Sequence, residues 1–227
     1  MYQYVPIIQT KCLERFVMKY DAVVFDMDGV LVDATDWHYE ALNEALHPFG
    51  YSIPINLHLE RFNGLSTKSK LEILSSEYGL PRELHNLISE TKQDRTQRIA
   101  YQKCYPNPSH LILLSRLKIL GLRIGLCTNS IRLTTEQMLG LAQLINFMDV
   151  IVTNEDVLKP KPNPQGYLLA CEQLSVLPHR TLVVEDGKYG IEAAHKAGCD
   201  VIEVEGPHQV SIENLSTKIF ELMSDDK

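Results

Sequence analysis

The stretch VVFDMDGVLVD, Val23 to Asp33, sets three aspartates around a glycine between two apolar runs. Asp-Gly flanked by hydrophobic residues is a strong hairpin signal, so the acids read first as a polar turn between two strands. Whether they also carry chemistry depends on what the rest of the chain brings to the same place.

Further along, four apolar runs share the character of AVVF at 22–25: RIGLCT at 123–128, VIVT at 150–153, TLVVE at 181–185 and VIEV at 201–204. Their hydrophobicity is continuous rather than alternating, as strands buried on both faces require. Helix-like stretches separate them. PSHLILLSRLKILG runs to Gly121, IRLTTEQMLGLAQL follows Ser130, NPQGYLLACEQL carries Pro164 at its start, and GIEAAHKAG closes at Gly198. Strand alternating with helix predicts an α/β fold, a doubly wound Rossmann-like parallel sheet with right-handed crossovers. Between Ala34 and Lys103 the rhythm breaks into amphipathic segments without a strand, which predicts an inserted all-helical cap domain. The expected organisation is an N-terminal extension over 1–18, a catalytic core over 19–33 and 104–227, and the cap over 34–103.

The whole-chain figures exclude several classes. The chain has 227 residues, a net charge of -7 and an ordinary 44% hydrophobic content. Such a charge argues against nucleic-acid or anionic-membrane partners. No apolar run approaches the roughly 20 residues that span a bilayer, and Glu14 and Arg15 interrupt the N-terminal segment. The five cysteines, Cys12, Cys104, Cys127, Cys171 and Cys199, form no C-x-x-C pair and read as reduced. A cytoplasmic protein, monomeric or weakly dimeric, is expected, with Met18 an alternative start.

In open α/β sheets, ligands bind beyond the carboxyl ends of the strands. That edge would collect Asp26 and Asp28 after the first strand, Thr128, Asn129 and Ser130 after the second, and Asn154 to Asp156 with Lys159 after the third. Glu185 and Asp186 follow the fourth. Each has a bland explanation: an acidic turn, a helix cap, a solvated lysine. All of these would have to hold independently at one sheet edge. Clustered carboxylates suit Mg²⁺, an aspartate can attack phosphorus, and a second carboxyl can move protons. Lys159 and Thr128 would then balance the charge of a phosphoryl group.

DMDGVLVD, TNS, KPKP and EDGKYGIEAAHKAG resemble, in order, the four motifs of the haloacid dehalogenase superfamily. The similarity extends from Lys19 onward and is closest to the helical-cap branch, with its sugar-phosphate phosphatases, phosphoglycolate phosphatases and β-phosphoglucomutase. The resemblance implies Asp26 as nucleophile, Asp28 as general acid/base, and Thr128 and Lys159 as phosphate-binding groups; Lys161 is the other lysine of KPKP. It implies Mg²⁺ as cofactor, held by Asp26, the Asp28 carbonyl and Asp186, with Glu185 beside them. Gly187 stands where the family usually has serine. His38, Gly64, Lys68, Asn129 and Arg132 are expected substrate contacts, with Lys92 and Arg95 as further basic candidates, while Asp33 has no assigned role. The resemblance implies a Mg²⁺-dependent phosphatase for a small phosphorylated metabolite, sugar phosphates among them, working through an aspartyl-phosphate. The alternative is a β-phosphoglucomutase-like mutase, weakened by Thr67 where the mutase has an arginine. A receiver-type module and a DxD glycosyltransferase fit less of the pattern.

Overall fold

The computed structural model describes residues 16–222. Its centre is a five-stranded sheet built from β2 (Ala22–Phe25), β3 (Arg123–Cys127), β4 (Val150–Val152), β5 (Thr181–Glu185) and β6 (Asp200–Glu203). The strand order is β4-β3-β2-β5-β6 and every pairing is parallel. Each predicted strand is present within a residue of its expected ends, because runs of Val, Ile and Leu fit a pleat covered on both faces.

Crossover helices supply the cover. They are α5 (Pro108–Ile119), α6 (Arg132–Leu141), α7 (Gln165–Leu174) and α8 (Lys188–Ala197), with α9 (Ile212–Ile219) after β6. One face of the sheet buries Val23, Phe25, Ile124, Leu126, Leu182 and Val184 against Leu113, Leu117 and Met138. The other buries Val24, Cys127 and Val183 against Tyr167, Ala170 and Ala194. Cys104, Cys127, Cys171 and Cys199 are buried free thiols, and Cys12 lies outside the described residues. No helix among the described residues is long and apolar enough to cross a membrane.

Between β2 and α5 the chain is helical: α1 (Thr35–Leu46), a single turn α2 (Ile55–Leu57), α3 (Thr67–Tyr78) and α4 (His85–Lys103). Leu42, Leu46, Ile53, Phe62, Leu71, Leu74 and Ile88 form a separate small core there. A π-helical turn, His58–Phe62, joins α2 to the loop before α3 and had no signature in the sequence. This helical cap sits over the carboxyl edge of the sheet. Asn129 Nδ2 donates to the Gly64 carbonyl at 2.8 Å, and Tyr189 Oη to the Arg61 carbonyl at 3.1 Å.

A further antiparallel pair joins β1 (Phe16–Met18) to β7 (Phe220–Leu222). Three of the residues assigned to an N-terminal extension therefore pair with the far end of the chain. Such short strands have no readable periodicity, and only their distant partner defines them. The rest of that extension, 1–15, lies outside the described residues.

Candidate active site

Parallel register sets the geometry. Phe25 stands opposite Leu126 on one side and Val184 on the other, so the next residue, Asp26, leaves the sheet beside Cys127 and Glu185. The chain then turns back. The Met27 carbonyl accepts from Leu31 and Val32 at 2.9 Å each, and Gly29 N donates to the Val32 carbonyl at 2.7 Å. The Asp-Gly turn is real, but VLV forms a small flap, not a second long strand. Gly29 has φ +89°, and a Cβ there would meet Asp186 Oδ2 at 2.0 Å. It satisfies a left-handed turn and a close approach at once.

Asp26, Glu185 and Asp186 form one oxygen cluster, with ligand atoms within 4.8 Å of one another. Lys161 Nζ donates to Asp26 Oδ1 at 2.6 Å, to Glu185 Oε1 at 2.6 Å and to the Cys127 carbonyl at 2.8 Å. Burial disfavours its charge, but Asp26 and Glu185 outweigh this and hold the ammonium well above the usual lysine range. Burial pushes Asp26 well up, with Lys161 opposing and the neighbouring carboxylates reinforcing. Burial and Glu185 raise Asp186 to about 7. Tyr167 Oη donates to Glu185 Oε1 at 2.5 Å, and the Asp186 and Gly187 amides donate to Oε2 at 3.2 and 3.3 Å. Both Glu185 oxygens thus accept hydrogen bonds within the site.

The Lys159 expectation is corrected. Lys159 is exposed, its amide is tied to Gln165 Oε1 at 3.1 Å, and it does not line the cavity. The lysine within the carboxylate cluster is Lys161. Its backbone is clasped by Asn129, whose Oδ1 accepts from Lys161 N at 3.1 Å. Spacing to prolines cannot show that clasp, because it is made between two loops.

Asp28 has different surroundings. Ser130 Oγ donates to its Oδ2 at 2.7 Å, and His38 Nε2 lies 3.0 Å from Oδ1. Lys92 Nζ is 2.9 Å from His38 Nδ1, which assigns the ring proton to Nε2 and points it toward Asp28. Burial would raise the Asp28 carboxyl, but His38 and Ser130 outweigh it and hold the group below its ordinary value. His38 itself is lowered, by burial first. The two aspartates of the opening motif therefore stand two residues apart in opposite electrostatic settings.

The cavity between cap and sheet is lined by Asp26, Asp28, Thr128, Asn129, Lys161 and Asp186 below and by His38, His58, Gly64, Lys70 and Lys92 above. Thr128 is buried and its Oγ1 accepts from Ser130 N at 3.0 Å. The helix that follows has no side-chain cap, so TNS does not serve as one. Arg132 is outside: it binds Asp156 at 2.6 Å and the Ile151 carbonyl at 3.2 Å. Arg95 pairs with Glu44 at 3.2 Å. Both are structural clamps, corrections to the expected substrate contacts. Asp33 is exposed.

Lys68 is also exposed, whereas Lys70 is buried and lines the cavity. Residues two apart on a helix do not share a face, and Lys70 lies with Leu71 and Leu74 on the inward one. That placement is legible afterwards as a lysine in an apolar stripe. Lys92 repeats it, in register with Ile88, Thr96 and Ala100 on α4. His58 had no signal, because it belongs to the π-turn.

One consequence concerns Gly190, where a Cβ would meet Glu185 Oε1 at 1.7 Å. Gly190→Ala is expected to displace Glu185, lowering stability by about 2–3 kcal/mol, roughly 5–10 °C. Thermal unfolding checks it, and an unshifted midpoint would contradict the packing described.

The sequence profile described as haloacid dehalogenase-like hydrolase matches residues 23–204. A protein of Thermotoga maritima named phosphorylated carbohydrates phosphatase is 31% identical over 182 residues, covering 80% of this chain and 83% of its own. Fructose-1-phosphate phosphatase YqaB of Escherichia coli is 27% identical, with 82% and 97% covered. Among solved structures, β-phosphoglucomutase of Clostridium difficile superposes with a TM-score of 0.77 at 23% identity, over 88% of this chain and 97% of that one. That likeness speaks to the fold alone.

Proposed function

The chain belongs to the haloacid dehalogenase-like hydrolase family, and on that premise we propose that it is a Mg²⁺-dependent phosphatase of small phosphorylated carbohydrates. The observation that carries the reading is the division of labour between Asp26 and Asp28. Asp26 faces the cation side of the site, Lys161 and the carboxylate cluster. The Asp28 carboxylate is instead held by His38 and Ser130.

The donor set fits a hard divalent cation. Asp26 and Asp186 offer oxygen ligands only, and Lys161 alone does not balance three clustered carboxylates. When bound, Mg²⁺ would neutralise charge on the phosphoryl oxygens. Glu185 is already committed to Lys161, Tyr167 and two amides, so it orients the ligands from behind.

In the reaction, an Asp26 oxygen forms a bond to phosphorus as the ester P–O bond breaks, giving an aspartyl-phosphate. Lys161 and the Thr128 hydroxyl stabilise the transferring group. Asp28 gives a proton to the departing alkoxide, then takes one from the water that hydrolyses the intermediate. His38 and Ser130 favour the ionised form of Asp28, the form needed for the second step. The arriving phosphoryl group places negative charge nearby, which raises its proton affinity for the first. His38 and Lys92, both on cap helices, couple this proton transfer to the seating of the cap.

A phosphate-release screen across phosphorylated sugars, nucleotides and phosphoglycolate is the test. Phosphate release from sugar phosphates with Mg²⁺, abolished by EDTA and restored by Mg²⁺, is the expected result. Full activity in EDTA would remove the metal from the reading. Isomerisation of a hexose 1-phosphate with little free phosphate would favour the mutase instead.

A further inference from the structure

The mechanism leaves unused the most unusual groups of the cap. Lys70 is 7% exposed and His58 1% exposed, yet both line the cavity. Both ring nitrogens of His58 lack a hydrogen-bond partner. No hydrogen bond or ion pair among the described residues engages the Lys70 ammonium. Buried polar groups are normally satisfied, so the His58 ring is an exception, and desolvating a lysine disfavours its charge. Burial and Lys92 push Lys70 down to about 7, and burial pushes His58 down to about 4, leaving a neutral ring with one donor and one acceptor. Asp28, which lies against His38, is the carboxylate whose charge favours the protonated forms of Lys70 and Lys92. An anion arriving beside Lys70 would favour its protonated form, as Asp28 already does in part.

We propose that Lys70, with His58 beside it, is the specificity-determining contact for a carboxylate on the substrate, so that the preferred ester is a phosphorylated sugar acid. The assignment rests on the phosphatase reading and refines its substrate class. A lysine that an arriving anion would charge, with a neutral donor beside it, matches a monoanion. A second phosphate would call for more cationic donors than this face holds. Lys70 belongs to the cap helix α3 and not to the loops at the sheet edge that carry Asp26, Lys161 and Asp186, so on this proposal it reads the part of the substrate that faces the cap.

The experiment compares matched esters on the full chain: 3-phosphoglycerate against glycerol 1-phosphate, and 6-phosphogluconate against sorbitol 6-phosphate. Binding is measured by calorimetry with Mg²⁺ in an Asp26→Asn background, and turnover in the otherwise native protein. The acid is expected to bind about tenfold or more tightly than its neutral partner in at least one pair. Lys70→Met should erase that preference, and Lys70→Arg should retain most of it. The melting temperature of Lys70→Met measured without ester should be unchanged or a few degrees higher, since a desolvated amine gives way to an apolar side chain of similar length. No preference in either pair, a preference that survives Lys70→Met, or a marked drop in melting temperature would each overturn the assignment. If no ester is turned over, the phosphatase reading falls, while the calorimetric comparison still decides the role of Lys70.

Discussion

Asp26→Asn is expected to reduce phosphate release at least about 1,000-fold while leaving the fold intact. The substitution keeps the shape of the side chain at the end of β2 but removes the carboxylate that the sheet register sets beside Lys161 and that the reading makes the nucleophile. Stability should change little, because two effects oppose each other. The Lys161 contact is weakened, yet one charge leaves a crowd of carboxylates that already pushes Asp26 upward. Single-turnover phosphate release, with circular dichroism as the control for folding, measures both. Substantial residual activity that still depends on Mg²⁺ would sink the assignment of the nucleophile.

Lys161→Met should be nearly as damaging, and Lys159→Met nearly silent. Removing the ammonium leaves Asp26 and Glu185 buried without their shared partner. Breaking such a pair typically costs about 3–5 kcal/mol, less whatever the acids recover by taking up protons. Loss of one positioned donor to a transferring group typically costs about 100- to 1,000-fold in kcat. Lys159 is exposed and lines no part of the cavity, so its loss should stay within about twofold. Parallel kcat measurements on the two variants separate them. Equal losses would show that the loop rearranges in the working enzyme.

Much of the fold was legible because it rests on local chemistry. AVVF, RIGLC and TLVVE are strands wherever both faces are covered, and their spacing by amphipathic helices leaves few topologies. What stayed hidden depended on distant partners. β1 exists only because residues 220–222 lie beside it. His58 enters the cavity through a π-turn that no periodicity announces. Arg132 looked like a ligand contact until Asp156 and the Ile151 carbonyl took its guanidinium. The choice between two lysines in KPKP was beyond the local pattern, since both lie among prolines and only Asn129, some thirty residues earlier, orients one of them.

From the sequence by itself came the α/β sheet, the helical insertion after the first strand, and the gathering of Asp26, Asp28, Thr128, Glu185 and Asp186 at one edge. The place where each strand ends follows from the run of apolar residues along the chain, and short motifs at strand ends inherit their positions from it. Tertiary structure alone decided which charges meet. It chose Lys161 over Lys159, turned Lys70 inward in place of Lys68, and set Asp26 and Asp28 in opposite fields. Those outcomes depend on burial and on contacts across loops and between cap and core, where a shift of one or two residues exchanges solvent for a desolvated carboxylate.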